Sequence, residues 1–192
     1  TTYATDAAFD AEHRLLYVSL NNGIPGSNNG NTLMVYDLKT NQVIYRDGER
    51  SVSSLAVDAA TGRAYIARSR LTAHSLGVLS TDRNAIKPEW RINGISGAVK
   101  VNAQQERIYL TAPTAASADS PYPAHSPYPA HSPGIGSRLL VLDTRTPTLL
   151  ADVPLPHAST LVEYDAETDR LYLLSPDGHL TVMQGHGSPT PQ

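Results

Sequence analysis

The sequence predicts an all-β chain built from repeated four-stranded antiparallel units. An Asp or Asn followed at once by Ala recurs at Asp10, Asp58, Asn102 and Asp165, and a Tyr stands seven positions after each, at Tyr17, Tyr65, Tyr109 and Tyr172. Between these landmarks, short runs rich in Val, Leu, Ile, Tyr and Thr are bounded by Gly, Asn, Asp and Pro, the pattern of strands joined by tight turns. No segment carries a sustained helical apolar period, so essentially no helix is expected. A motif recurring in one frame marks a repeat protein, and the repeat sets the architecture.

The first repeat begins with the short β-type run Thr5–Phe9, which enters the turn Asp10–Arg14 and continues as Leu15–Leu20. The Gly- and Asn-rich loop Asn21–Asn31 leads to Thr32–Leu38, and Lys39-Thr40-Asn41 turns the chain into Gln42–Arg46. The second repeat offers Ser53–Val57, Arg63–Arg68, Leu76–Ser80 and Glu89–Ile92, with Thr61-Gly62 and Asn93-Gly94 as turn chemistry. The third offers Ala98–Val101, Arg107–Thr111, Arg138–Asp143 and Thr148–Val153. The fourth offers Thr160–Tyr164, Arg170–Leu174 and His179–Gln184, with Pro176-Asp177-Gly178 as a turn. Arg63, Arg107 and Arg170 stand two before their tyrosines, whereas Arg14 lies one position earlier in its repeat.

Four short antiparallel strands per repeat describe the blade of a β-propeller. Successive tyrosines lie 48, 44 and 63 residues apart, the last interval lengthened by an insertion over 113–137. The expected blades are 1–47, 52–93, 97–156 and 159–184, about 3.75 blades in all, followed by a tail over 185–192. One blade alone exposes apolar side chains on both faces, so the blades are expected to depend on their neighbours.

Tyr17-Val18-Ser19, Tyr65-Ile66-Ala67 and Tyr109-Leu110-Thr111 resemble the Tyr-Val-Thr-Asn motif of the YVTN-type β-propeller repeats. The run Val35-Tyr36-Asp37-Leu38-Lys39-Thr40-Asn41-Gln42-Val43 and the run Val141-Leu142-Asp143-Thr144-Arg145-Thr146 are similar to the later half of that repeat. Ser80 and Gln184 depart from it where Asp37 and Asp143 follow it, and the final Asn is absent throughout. The resemblance implies a seven-bladed ring in a bacterial or archaeal protein acting outside the cytoplasm, in the periplasm or at the cell surface. On that basis the chain is expected to be the C-terminal part of a larger ring, the alternatives being a complete small propeller whose last blade lacks a strand and two copies closing one ring. The missing blades would come from the same or another chain.

Composition removes several function classes. The chain has 192 residues, 40% of them hydrophobic, which is enough for a substantial core. A formal charge of −3 leaves no basic face for nucleic acid. No apolar run approaches the length of a membrane span. The absence of cysteine excludes disulfides, thiolate metal sites and cysteine nucleophiles.

In an up-and-down blade, the loops between second and third strands share one end with the blade-to-blade connections. The long loops fall on that end, and functional loops cluster in this way on rigid scaffolds. Candidate contact residues there are Arg50, Arg70, His74, Tyr122, His125, Tyr128, His131 and His157. Tyr122, His125, Tyr128 and His131 belong to a tandem Ser-Pro-Tyr-Pro-Ala-His repeat, either a docking arm or a tolerated surface expansion. No His pair or carboxylate–His cluster of metal-site spacing stands out, so no metal or cofactor is expected. Asp10, Asp58, Asn102 and Asp165 recur with the repeat, as do the four tyrosines. Their expected role is therefore structural, in turns and between sheets.

The strands nearest the axis read mainly Ala, Val and Leu, with Lys100 and Glu163 as exceptions. That favours a non-catalytic scaffold binding another protein or a ligand through the loops of one face. The alternative is the propeller portion or subunit of an amine dehydrogenase-like enzyme or a metal-dependent lactonase.

Overall fold

A computed structural model describes residues 3–21, 32–50, 52–69, 74–81, 86–93, 97–113, 137–146 and 148–185. These residues form β-strands and turns, with no helix among them, and therefore none long and apolar enough to cross a membrane. The first sheet joins β1 (Tyr3–Asp10), β2 (Leu15–Asn21), β3 (Thr32–Asp37) and β4 (Gln42–Arg50) in sequence order. The second joins β5 (Val52–Asp58), β6 (Arg63–Ser69), β7 (His74–Ser80) and β8 (Lys87–Asn93) in the same way. The third contains β9 (Val99–Asn102), β10 (Arg107–Pro113), β11 (Ser137–Asp143) and β12 (Leu149–Leu155). The fourth contains β13 (Leu161–Asp165), β14 (Arg170–Leu174) and β15 (Leu180–Gln184). All pairings are antiparallel meanders, so the four sheets are the blades of a β-propeller arrangement.

The strands follow the turn chemistry of the sequence, with two extensions. The segment from Asp47 to Arg50, expected as a connection, belongs to β4, and Arg50 pairs with Thr32. Register shifts between Thr32 and Met34 and between Val35 and Tyr36 let this pairing continue. Buried Asp47 then accepts a hydrogen bond from buried Arg68 on β6, fastening the end of β4 to the next blade. His74, expected in a loop, opens β7 opposite Ser69.

Three buried clusters, one between each pair of successive blades, form the core. Leu15, Tyr17, Leu33 and Val35 of blade 1 meet Val52, Leu55, Ala64, Ile66 and Leu79 of blade 2. Tyr65, Leu76 and Val78 of blade 2 meet Val99, Ile108, Leu110, Leu140 and Leu142 of blade 3. Tyr109, Leu139 and Val141 of blade 3 meet Val162, Leu171, Leu173 and Met183 of blade 4. Each interface thus sets the tyrosine face of one blade on the face of the next that carries the residues flanking its own tyrosine. Side chains alternate along a strand, so one motif supplies both surfaces.

Polar contacts repeat with the same period. The Tyr109 hydroxyl donates to the Gly185 carbonyl at 2.6 Å and the Tyr65 hydroxyl to the Thr144 carbonyl at 3.4 Å, each in the following blade. The Tyr17 hydroxyl approaches Thr81 of blade 2 without a hydrogen bond of ordinary geometry. Nearer the axis, Asp6 accepts from the Leu55 amide at 2.8 Å, and Ser54 accepts from the Val99 amide at 3.2 Å. Lys100 and Glu163, the two charged exceptions of the inner strands, pair with each other at 2.9 Å.

The innermost strands pack in the order β1, β5, β9, β13, and among the described residues no comparable packing joins β13 to β1. The outer face of the last blade therefore shows exposed Leu161, Leu174 and Leu180, and that of the first mixes half-buried side chains with exposed Phe9 and Val43.

Candidate functional site

On blade 4, the end where the connections and the loops between second and third strands meet is described with its side chains. Two short segments converge there. The first follows β12, where Pro154 and Pro156 bracket Leu155 and restrict the chain just before His157. Leu155 is buried and anchors this segment to the core between blades 3 and 4. The second is the turn from β14 to β15. The Gly178 amide donates to the Ser175 carbonyl at 3.0 Å, and the Ser175 amide to the His179 carbonyl at 2.9 Å. The Ser175 hydroxyl accepts from the His179 amide at 2.9 Å. Gly178 sits at φ 89, a left-handed conformation that side chains disfavour. Five residues are thereby tied into one rigid turn that presents Asp177 and His179.

The two segments bring three metal-competent side chains together. The rings of His157 and His179 stack with centroids 4.0 Å apart and planes inclined by 12°. His179 Nε2 lies 3.6 Å from an Asp177 carboxylate oxygen. One ligand atom from each of the three residues falls within 4.8 Å of the others. The Ser175 hydroxyl donates to Asp177 and holds its carboxyl below the ordinary aspartate value; desolvation opposes this, and the backbone and the two imidazoles add smaller contributions in the same direction as Ser175. His157 is half-buried, whereas Asp177 and His179 are exposed. Beside them lies a cleft of about 310 Å3 between β12 and β15, lined by Val153, Leu155, Leu180 and Met183 with both histidines at its edge.

Of the contact residues predicted from sequence, His157 is the one whose side chain is described. Arg50 and His74 are placed by their backbones at the ends of β4 and β7. Arg70, Tyr122, His125, Tyr128 and His131 lie outside the described residues. Sequence spacing did not reveal the cluster of His157, Asp177 and His179. Strand alternation was the available signal, because it puts a blade-to-blade connection and the loop between second and third strands at one end.

The repeated Asp and Asn side chains hold turns. Asp10 accepts from the His13 amide at 2.9 Å and Asn102 from the Gln105 amide at 3.1 Å. Asp58 accepts from the amides of Ala60 and Thr61 and from the Thr61 hydroxyl, the last at 2.7 Å. Asp165 accepts from the Glu167 amide at 2.9 Å and from the Thr168 hydroxyl at 2.6 Å.

No family profile matches the sequence, and no curated protein matches it. Solved structures do resemble the fold. The chain is similar to the Myceliophteria thermophila Cps50 (Swd1) β-propeller domain, with a TM-score of 0.62 and 13% identity, covering 98% of this chain and 54% of that one. It is similar to Kuenenia stuttgartiensis hydrazine synthase, with a TM-score of 0.69 and 12% identity, covering 98% and 48%. It is also similar to a chain of a nidogen/laminin complex, with a TM-score of 0.58 and 13% identity, covering 97% and 66%. The chain therefore spans about half to two thirds of the length of these structures. At such identities the likeness establishes the propeller fold alone.

Proposed function

We propose that this chain is a non-catalytic β-propeller scaffold that binds protein, and that its first partner is propeller sheet completing the array at its two open faces. The observation that carries this reading is the chemistry of those faces. On blade 4, Leu161, Leu174 and Leu180 lie side by side, 45%, 40% and 59% exposed, next to Tyr172 and Val182. This is the tyrosine face that each preceding blade buries. On blade 1, half-buried Leu16, Val18, Met34 and Tyr36 share a face with exposed Phe9 and Val43. This is the face that each following blade buries.

Covering one large apolar side chain is worth about 1.5–3 kcal/mol, and an exposed apolar sheet face marks an interaction surface. Sheet of the same blade type, from the same or another polypeptide, has the complementary shape. The loops of the connecting end, including Arg50, Arg70, His74, Tyr122, His125, Tyr128, His131 and His157, would then be displayed on a rigid ring to further partners. The repeat's resemblance to YVTN-type propellers supports a bacterial or archaeal setting outside the cytoplasm, in a larger complex.

The test uses the chain itself as a source of both faces. Sedimentation and hydrophobic-dye binding should show concentration-dependent association of the parent protein. Leu174→Asp and Leu16→Asp should each weaken it. Mixed together, these two variants should form a dimer through the intact face of each, with no larger species. A parent chain that stays monomeric and binds no dye overturns the reading.

A further inference from the structure

We propose that His157, Asp177 and His179 form a binding site for a late first-row divalent cation, with zinc the preferred occupant. Two imidazoles and a carboxylate are a ligand set suited to zinc, and three protein ligands leave a position open to water or another ligand. The geometry is close to what coordination needs. Ligand atoms around tetrahedral zinc stand about 3.4 Å apart for bonds of about 2.1 Å. Here they already lie within 4.8 Å of one another, and the Asp177 carboxylate is 3.6 Å from His179 Nε2. His179 and Asp177 are exposed, so solvent rather than packed protein borders the space in which their side chains would close on a shared ion.

The backbone is in turn fixed. The Ser175–His179 turn is held by its own hydrogen bonds, and His157 follows the Pro-bracketed Leu155 anchor. The Ser175 hydroxyl also donates to the Asp177 carboxylate and fixes its position on the turn. Both histidines border the cleft between β12 and β15, so a bound cation could present a ligand there. It would also clamp the connection leaving blade 3 to the turn of blade 4.

The experiment is calorimetric titration with zinc chloride of the full chain carrying His125→Ala and His131→Ala, which removes competing histidines of the Pro-rich insertion. A single equivalent should bind and raise the melting temperature, while magnesium produces neither effect. Even partners behind a metal ligand are worth about 10–100-fold in affinity, so His157→Ala or His179→Ala should each cost at least about tenfold. Asp177→Asn should weaken binding and abolish most of the thermal shift. Circular dichroism of each variant reports that the sheets remain, and His179→Gln serves as a second variant if His179→Ala does not fold. Zinc binding that survives loss of both His157 and His179, or that disappears with His125 and His131 alone, overturns the proposal. Equal affinity for magnesium does so too.

Discussion

The hydroxyl of Tyr109 reaches across the interface between blades to the Gly185 carbonyl at 2.6 Å. Gly185 is itself drawn in tightly. Its amide donates to the Asp169 carbonyl at 2.8 Å, and a Cβ at this position would come within 2.1 Å of the Asp169 carboxylate. The residue after the third strand of a blade is therefore both the close of that blade and the acceptor for its neighbour's tyrosine. Tyr172 occupies the equivalent tyrosine position but, among the described residues, makes no hydrogen bond to another blade. Replacing Tyr109 by Phe leaves a buried carbonyl without its donor and should cost about 1–2 kcal/mol. Tyr172→Phe should stay within about 0.5 kcal/mol. Urea unfolding midpoints of the two variants check the contrast. Equal effects would mean that the tyrosine acts through its ring alone.

Within a blade, the turn between the first two strands repeats more strictly than its sequence suggests. Arg14, Gly62, Glu106 and Asp169 all take left-handed backbone angles, at φ 57, 62, 57 and 51. Each of their carbonyls accepts from the residue that follows the third strand: Leu38, Thr81, Thr144 and Gly185. Only one of the four is glycine, so the left-handed position could not be read from residue type; the Asp-Ala or Asn-Ala landmark four residues earlier was legible. The strands themselves were legible because their apolar runs end at turn residues. The continuation of β4 to Arg50 was not, because it depends on the pairing of Asp47 with Arg68 twenty-one residues away. The convergence of His157 on Asp177 and His179 was hidden for the same reason: it is made by packing between blades 3 and 4. At the turn, Asp58→Ala removes the acceptor for two amides and the Thr61 hydroxyl and should cost about 1–2 kcal/mol. Asp58→Asn should cost less, since Asn102 already performs the same task with its amide oxygen in blade 3. Thermal melts of both variants decide it. An equal loss would show that the charge, rather than the acceptor oxygen, holds the turn.

Across the whole molecule, stability lies in three interfaces in series, each built on a tyrosine or its flanking residues, and this gives the protein a particular response to alkali. Burial pushes the ionisation of Tyr17, Tyr65 and Tyr109 above the ordinary value of 10.0, with the carboxylates of Asp10, Asp58 and Asp169 adding to the shift at Tyr17, Tyr65 and Tyr109 respectively. Tyr164, whose hydroxyl donates to Asp169 at 2.9 Å, is raised as well, again first by desolvation. A group whose pKa is raised by folding contributes stability that is complete below its unfolded value and is lost as pH climbs toward its folded value. Each such tyrosine withdraws about 1.4 kcal/mol per pH unit over that window. On the alkaline side the protein should therefore hold its melting temperature from neutral pH to about pH 10 and lose it steeply beyond, with contributions from all three interfaces. Tyrosinate absorbance should rise in two stages, the exposed rings first and the buried ones together with the loss of β-sheet circular dichroism. Ionisation of every tyrosine near pH 10 with the sheets intact would show that the rings are not sealed between the blades. Coincidence of the second stage with unfolding would identify the interblade tyrosines as the common closure of the array.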